Sequence, residues 1–144
     1  MVLTGNVTVD SSSTLVLEPG TVVDAQSYWL QIDGTLQASD SEFMTSETPA
    51  SQGSTGAGLW GGILVSNGAI AALSNITISG AETALNVHGE VTIDESITIR
   101  TSYIGFNIEP TGTLDAENIT MSTIDIQSVV NHGDLAIDTG LFTN

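Results

Sequence analysis

Short runs of alternating apolar and polar residues follow one another along most of the chain. Each run has a period of two residues and spans three to five positions, and none carries the 3.6-residue period of an amphipathic helix. The clearest runs are NITIS, SITIR and NITMS, which place Ile76, Ile97 and Ile119 at intervals of 21 and 22 residues. The pattern therefore predicts short β-strands that recur within a repeated structural unit.

Each repeat unit opens with a residue followed by glycine, continues with an alternating apolar pair, bends through a short polar segment and then carries a second apolar pair. A third, weaker pair precedes the next glycine turn. The first pairs of successive units are Leu36/Ala38, Ile70/Ala72, Val91/Ile93, Leu114/Ala116 and Leu135/Ile137. Three short strands in 21–23 residues predict one rung of a β-solenoid, in which each strand pairs with its copy about 4.8 Å away.

We therefore expect an all-β, parallel β-solenoid of about six rungs that forms a single domain over residues 1–144. A two-sheet sandwich also fits short, regularly spaced strands, but it does not require the same residue types every 22 positions. A polar loop insertion at 45–58 interrupts the repeat. The side chains expected to fill the core include Leu15, Leu17, Leu36, Phe43, Ile76, Ile78, Ile97, Ile99, Ile119 and Met121.

The segments LVLEPGTVVDA, WLQIDGTLQASDSEFMTS and LWGGILVSNGAIAALSNITISGA resemble the parallel β-helix repeats of secreted and surface-anchored microbial proteins. Such repeats combine an apolar strand, EPGT, V-x-G-x-L-x-A, FTS, a loop and W-G-G-I. The resemblance covers most of the chain and is specific around residues 15–80. It implies a right-handed, single-stranded, pectate-lyase-like β-helix and an extracellular or cell-surface location, with the signal peptide absent from this chain. It implies little about activity, because this scaffold carries many functions.

Charge narrows the classes of partner. Seventeen acidic residues accompany a single basic residue, Arg100, so the net charge is −16. Nucleic acids and anionic membranes are held mainly by Lys and Arg, so neither is expected as a partner. No apolar run is long enough to insert into a membrane, and the chain has no cysteine for disulfides or thiolate metal sites.

The resemblance also bears on catalysis. The lyases of this architecture use Arg or Lys as the base, and its hydrolases use clustered acids with a cation that grips the sugar. Arg100 alone is available for these cationic roles, and it stands at a predicted strand end where solvated residues are usual. We therefore expect no enzymatic activity.

Acidic residues recur at the polar bend of the repeat, where Asp94, Glu117 and Asp138 occupy nearly one position. Carboxylates stacked on adjacent rungs would repel one another, and a calcium ion would relieve that repulsion. We therefore expect no cofactor and favour a set of solvated turn carboxylates, with a calcium column along this bend as the alternative hypothesis.

The same bend carries Asn75, Ser96 and Asn118, which we expect to form a structural ladder of side-chain hydrogen bonds between rungs. Asn75 and Asn118 also begin N-x-T glycosylation sequons, as does Asn6.

Aromatic residues suggest a second function. Trp60 and Tyr103 are the predicted carbohydrate contacts of an adhesive or polysaccharide-binding module, with Tyr28 and Trp29 as further candidates. For Trp60, the favoured interpretation is an anchor that holds the loop insertion against the coil, and the sugar contact is the alternative.

The leading functional hypothesis is structural. Both VLTGNVTV near the start and LAIDTGLFTN near the end have the pattern of strands with apolar inward positions. Exposed strand edges at the ends of a solenoid are templates for another chain. We therefore expect a subunit of a self-assembling extracellular filament or stalk, stacked head to tail through its terminal rungs.

Overall fold

The computed structural model of the protein describes residues 1–50 and 55–143, and within them the chain forms eleven β-strands and no helix. The strands are β1 Val7–Val9, β2 Thr14–Leu17, β3 Val22–Asp24, β4 Trp29–Ile32, β5 Thr35–Met44, β6 Gly62–Val65, β7 Ile70–Ser79, β8 Thr83–Val87, β9 Glu90–Ile108, β10 Thr113–Asn131 and β11 Asp134–Thr143. In the described part of the chain, no helix is long and apolar enough to span a membrane.

The strands form three faces of the solenoid, and each rung contributes a segment to faces A, B and C in that order. Face A stacks β1, β4, β6 and β8 with residues 104–108 of β9 and 127–131 of β10. Face B stacks β2 with the first parts of β5, β7, β9, β10 and β11. Face C stacks β3 with the later parts of the same five strands. Every pairing is parallel and joins copies one rung apart, which confirms the predicted all-β solenoid of about six rungs.

The core consists of apolar columns that run from rung to rung. Ile76 pairs with Ile97 and Ile97 pairs with Ile119, and each of the three is at most 2% exposed. Most side chains predicted to point inward are indeed buried: Leu17, Leu36, Phe43, Ile76, Ile78, Ile97, Ile99, Ile119 and Met121. Leu15, in the first rung, is half-buried and packs against the core.

One predicted apolar pair was wrong. Ala71 and Leu73, rather than Ile70 and Ala72, point into the core, because Leu36 pairs with Ala71. In the neighbouring rungs a glycine directly precedes the first strand residue, whereas here Ala69 is inserted between the turn glycine and the strand. The extra residue shifts the alternation by one position and leaves Ile70 47% exposed.

The bend between faces B and C requires a left-handed backbone conformation. Asp40, Asn75 and Glu95 have φ angles of 47°, 51° and 66° at this corner. Asn and Asp tolerate this conformation better than other residues with a Cβ atom, because their short polar side chains can bond locally. The polar residues of the bend therefore reflect backbone geometry as well as exposure.

The loop insertion leaves the coil after β5 and returns before β6, and residues 51–54 of the predicted insertion lie outside the described residues. Its described end contacts later rungs, since the Thr55 hydroxyl donates a hydrogen bond of 2.6 Å to Asp125. Trp60 follows, 2% exposed, and its indole N–H donates to the Ser79 carbonyl at 2.8 Å. The geometry matches the anchor interpretation of Trp60.

Candidate functional site

The C-terminal rung (residues 127–131, 134–137 and 140–143) presents an uncovered apolar end. Its strands pair with the preceding rung on one side only, and no strand among the described residues pairs with their outer edge. Its inward side chains are correspondingly incompletely covered. Val129, Leu135 and Ile137 are half-buried, and Phe142, which continues the Met121 column, is 46% exposed.

The N-terminal rung is better covered. Among its inward side chains, Val9, Leu17 and Val23 are 8%, 6% and 1% exposed, whereas Val7 and Leu15 are half-buried. The outer edge of β3 is also occupied, because residues 1–3 lie beside it. The Asp24 N–H donates to the Met1 carbonyl at 2.8 Å, and the Leu3 N–H donates to the Asp24 carbonyl at 2.9 Å. The edges of β1 and β2 have strand partners on one side only within the described chain.

The structure does not support the calcium column. Asp94, Glu117 and Asp138 are all exposed, and the described residues contain no group of three acidic or histidine side chains that could hold a metal ion. The bend of β9 is one residue longer than the bends of β7 and β10, which gives a register shift in its pairing with each of these strands. Glu117 instead accepts a hydrogen bond of 3.2 Å from the backbone N–H of Glu95.

Part of the predicted ladder forms. The Asn75 amide donates to Asp40 at 2.7 Å and accepts from the Ser96 hydroxyl at 3.1 Å, so three successive rungs are joined. Asn118 does not reach Ser96 and donates to the Glu95 carbonyl at 2.6 Å instead.

A second ladder, on face A, was missed by the sequence analysis. The Asn107 amide donates to Asn86 on the preceding rung at 3.0 Å and to Glu109 on its own rung at 2.9 Å. The available signal was the recurrence of Asn directly before the last apolar residue of the strand, as Asn86-Val87 and Asn107-Ile108, at an interval of 21 residues.

Polar contacts at two other corners shift carboxyl pKa values. A hydrogen bond from Ser66, 2.6 Å from Asp33, and a second from Gln31 hold the pKa of Asp33 below its ordinary value. Hydrogen bonds from Ser46 and Gln26 lower the pKa of Asp24 in the same way. Both carboxylates hold neighbouring segments of the coil together through these hydrogen bonds, so we assign them structural roles.

Of the candidate aromatic side chains, Trp29 and Tyr103 are exposed, whereas Trp60 is buried. Trp60 is buried, so its ring cannot serve as a sugar platform, and that predicted contact was wrong. Tyr103 is 37% exposed, but one side of its ring lies against Gly58 of the loop. Trp29 is the exposed tryptophan, at 47%.

No protein-family model matches this chain, and neither the curated proteins nor the solved structures compared with it include a match. The terminal rungs and the outer faces are therefore the surfaces that carry information about function.

Proposed function

We propose that this chain is a non-catalytic structural protein, a solenoid subunit that stacks head to tail in an extracellular fibre or cell-surface stalk. The observation that carries the proposal is the uncovered apolar C-terminal rung. Within the described residues no strand pairs with its outer edge, so N–H and C=O groups are available there, and its inward Leu135, Ile137 and Phe142 remain partly in water. Another rung placed on this end would extend the hydrogen-bond ladders and the core together.

The N-terminal rung of a second copy is a suitable occupant on faces A and B. The register of face B continues without a break from Val16 in the first rung to Ala136 in the last, through five pairings. Placing Val16 of one copy beside Ala136 of the next would add a seventh position to this column. A contact between two different ends repeats indefinitely, so it produces a filament rather than a closed dimer.

Face C sets a condition on this stacking. Residues 1–3 occupy the position beside β3, which is the position that residues 140–143 of the preceding copy would need. Stacking over all three faces therefore requires residues 1–3 to leave the edge of β3. We expect assembly to be stronger in a variant that lacks these three residues.

Charge and resemblance support the remaining parts of the proposal. A net charge of −16 makes lateral contacts between filaments unfavourable, which favours single fibres over bundles. The likeness to β-helix repeats of secreted and surface-anchored microbial proteins favours an extracellular location. It also favours right-handed coiling, the hand that parallel β-connections almost always adopt.

Disulfide trapping tests the proposal, because the native chain has no cysteine. In a Val16→Cys/Ala136→Cys variant, the two positions lie about 24 Å apart within one chain, at five rung spacings. Across a head-to-tail junction they would lie about 4.8 Å apart, within the Cα separation that disulfides accept. Oxidation at high protein concentration should therefore give a ladder of covalent multimers, at lower concentrations when residues 1–3 are removed.

Two controls sharpen the result. A Val16→Cys/Ile126→Cys variant places the second thiol at an exposed position of β10, at the register shift between faces C and A, and it should give few multimers. A single Ala136→Cys variant should stay monomeric, whereas efficient dimers would indicate two-fold contact between C-terminal rungs and would overturn head-to-tail stacking. A double variant that stays monomeric with and without residues 1–3 would also overturn the proposal.

A further inference from the structure

Trp29 occupies an unusual position on the outer surface of face A. Leu30 and Ile32 of β4 fill the core, so the alternation of the strand turns Trp29 and Gln31 outward. Trp29 remains 47% exposed. A large indole surface left in water is unfavourable, and tryptophan in this situation is a frequent centre of binding surfaces.

A cavity lies directly beside this ring. It has a volume of about 380 Å³ and is lined by Trp29, Gln31, Gly62, Glu82, Thr83 and Asn86, among others. Binding sites for small molecules typically measure about 300–1,000 Å³. Gly62 pairs with Trp29 in register and has a φ of 93°, and a Cβ atom there would collide with the Thr83 carbonyl. The space next to the indole therefore stays open for a backbone reason.

Polar groups at this cavity are held in fixed orientations by their neighbours. The Gln31 amide donates to Asp33 at 2.8 Å, and the Asn86 carbonyl oxygen accepts from Asn107 at 3.0 Å. Within the described residues, these bonds leave the Gln31 carbonyl oxygen and the Asn86 amino group to a ligand. The exposed Glu82 carboxylate adds an acceptor at the rim. The cavity thus combines one aromatic face with an oriented donor and two acceptors.

We propose that this surface, the Trp29 groove (Trp29, Gln31, Gly62, Glu82 and Asn86), binds a segment of neutral polysaccharide. Sugar rings present an apolar C–H face that packs on an indole and hydroxyl groups that both donate and accept hydrogen bonds. Charge decides the class of sugar. The net charge of −16, with Glu82 in the groove and Arg100 exposed on face C, disfavours uronate or sulfated chains. Because the groove lies on the outer surface of face A and not at an end of the solenoid, it remains open when the terminal rungs are stacked.

The two tryptophans make the test direct, because a Trp60→Phe variant leaves Trp29 as the single indole. In this variant we expect tryptophan fluorescence to change on titration with a neutral oligosaccharide from a panel of cellohexaose, xylohexaose and mannohexaose. Hexagalacturonate serves as the anionic arm and should give at least about tenfold weaker binding. Calorimetry on the unmodified chain should give the same order of affinities.

Variants then locate the site. Trp29→Ala should weaken binding at least about tenfold, and Glu82→Ala, on an exposed turn, should weaken it severalfold without affecting folding. Tyr103→Ala removes the other half-exposed aromatic ring and should leave the affinity unchanged. The proposal is overturned if no neutral oligosaccharide binds at millimolar concentration, if hexagalacturonate binds best, or if Tyr103→Ala rather than Trp29→Ala abolishes binding. Trapped multimers of the Val16→Cys/Ala136→Cys variant report separately on stacking.

Discussion

The central column of the core provides a quantitative test of the solenoid. Ile97 lies in the fourth rung between Ile76 and Ile119 and is fully buried. Ile97→Ala removes three carbon atoms, which represents about 2.4 kcal/mol of lost transfer free energy at about 0.8 kcal/mol each. The cavity left between two fixed rungs adds to this loss, so we expect the free energy of unfolding to fall by about 3–4 kcal/mol.

The matched control is Ile70→Ala, which deletes the same three carbon atoms from a side chain that is 47% exposed. Because about half of this side chain is already in water, we expect a loss below about 1 kcal/mol. The comparison also tests the register of the third rung, since the uncorrected pattern would place Ile70 in the core.

Urea unfolding followed by far-ultraviolet circular dichroism measures both changes, with the slope of free energy against urea compared between variants. The two losses should differ by at least about 2 kcal/mol, by the cavity and transfer terms above. Equal losses, or a larger loss for Ile70→Ala, would refute the assigned faces. A change in slope for one variant alone would mean that the free energies cannot be compared directly.

Three further predictions concern the corners of the coil. Asn75→Ala should lower the free energy of unfolding by about 2 kcal/mol, and Asn75→Gly should lower it by about 1 kcal/mol less than that. Both variants lose the ladder bonds, but glycine accepts the positive φ. Equal losses in urea unfolding would contradict this account. Glu95→Gly should raise stability by about 0.5 kcal/mol by relieving a left-handed residue, and a clear loss in the same assay would contradict it. Ser66→Ala should raise the pKa of Asp33 toward its ordinary value in an NMR titration. A carboxyl group whose pKa is lowered by folding adds stability above its unfolded pKa, and this stability is lost as the pH falls through the folded pKa. The variant should therefore lose less stability on acidification. An unchanged Asp33 titration would contradict the hydrogen bond between Ser66 and Asp33.

The repeat was predictable from sequence because parallel stacking demands the same residue type at each core position. Ile76, Ile97 and Ile119 carry that demand in its plainest form, and their spacing alone indicated the coil. The inward positions of the strand after Gly68 were predicted wrongly, because the inserted Ala69 is compatible with either alternation. Only the pairing of this strand with the second rung shows that Ala71 points into the core.

Surface sites were less predictable, because exposure depends on neighbours that are distant in sequence. Trp60 follows a polar loop, so the sequence was compatible with an anchor and with an exposed aromatic, and only the hydrogen bond from its indole to the Ser79 carbonyl distinguishes the two. Trp29 is exposed because its partner on the next rung is Gly62, which provides no side chain to cover it. For the carboxylates, an average spacing of one rung did not reveal that Glu117 accepts a hydrogen bond from the backbone N–H of Glu95.

Cryo-electron microscopy of the chain lacking residues 1–3, at high protein concentration, tests head-to-tail stacking most directly. Six rungs at about 4.8 Å each predict filaments with an axial rise of about 29 Å per subunit and an unbroken β-ladder across every junction. Filaments with this rise would support stacking through the terminal rungs. Particles that remain single, or that pair only through two C-terminal rungs related by a two-fold axis, would contradict it.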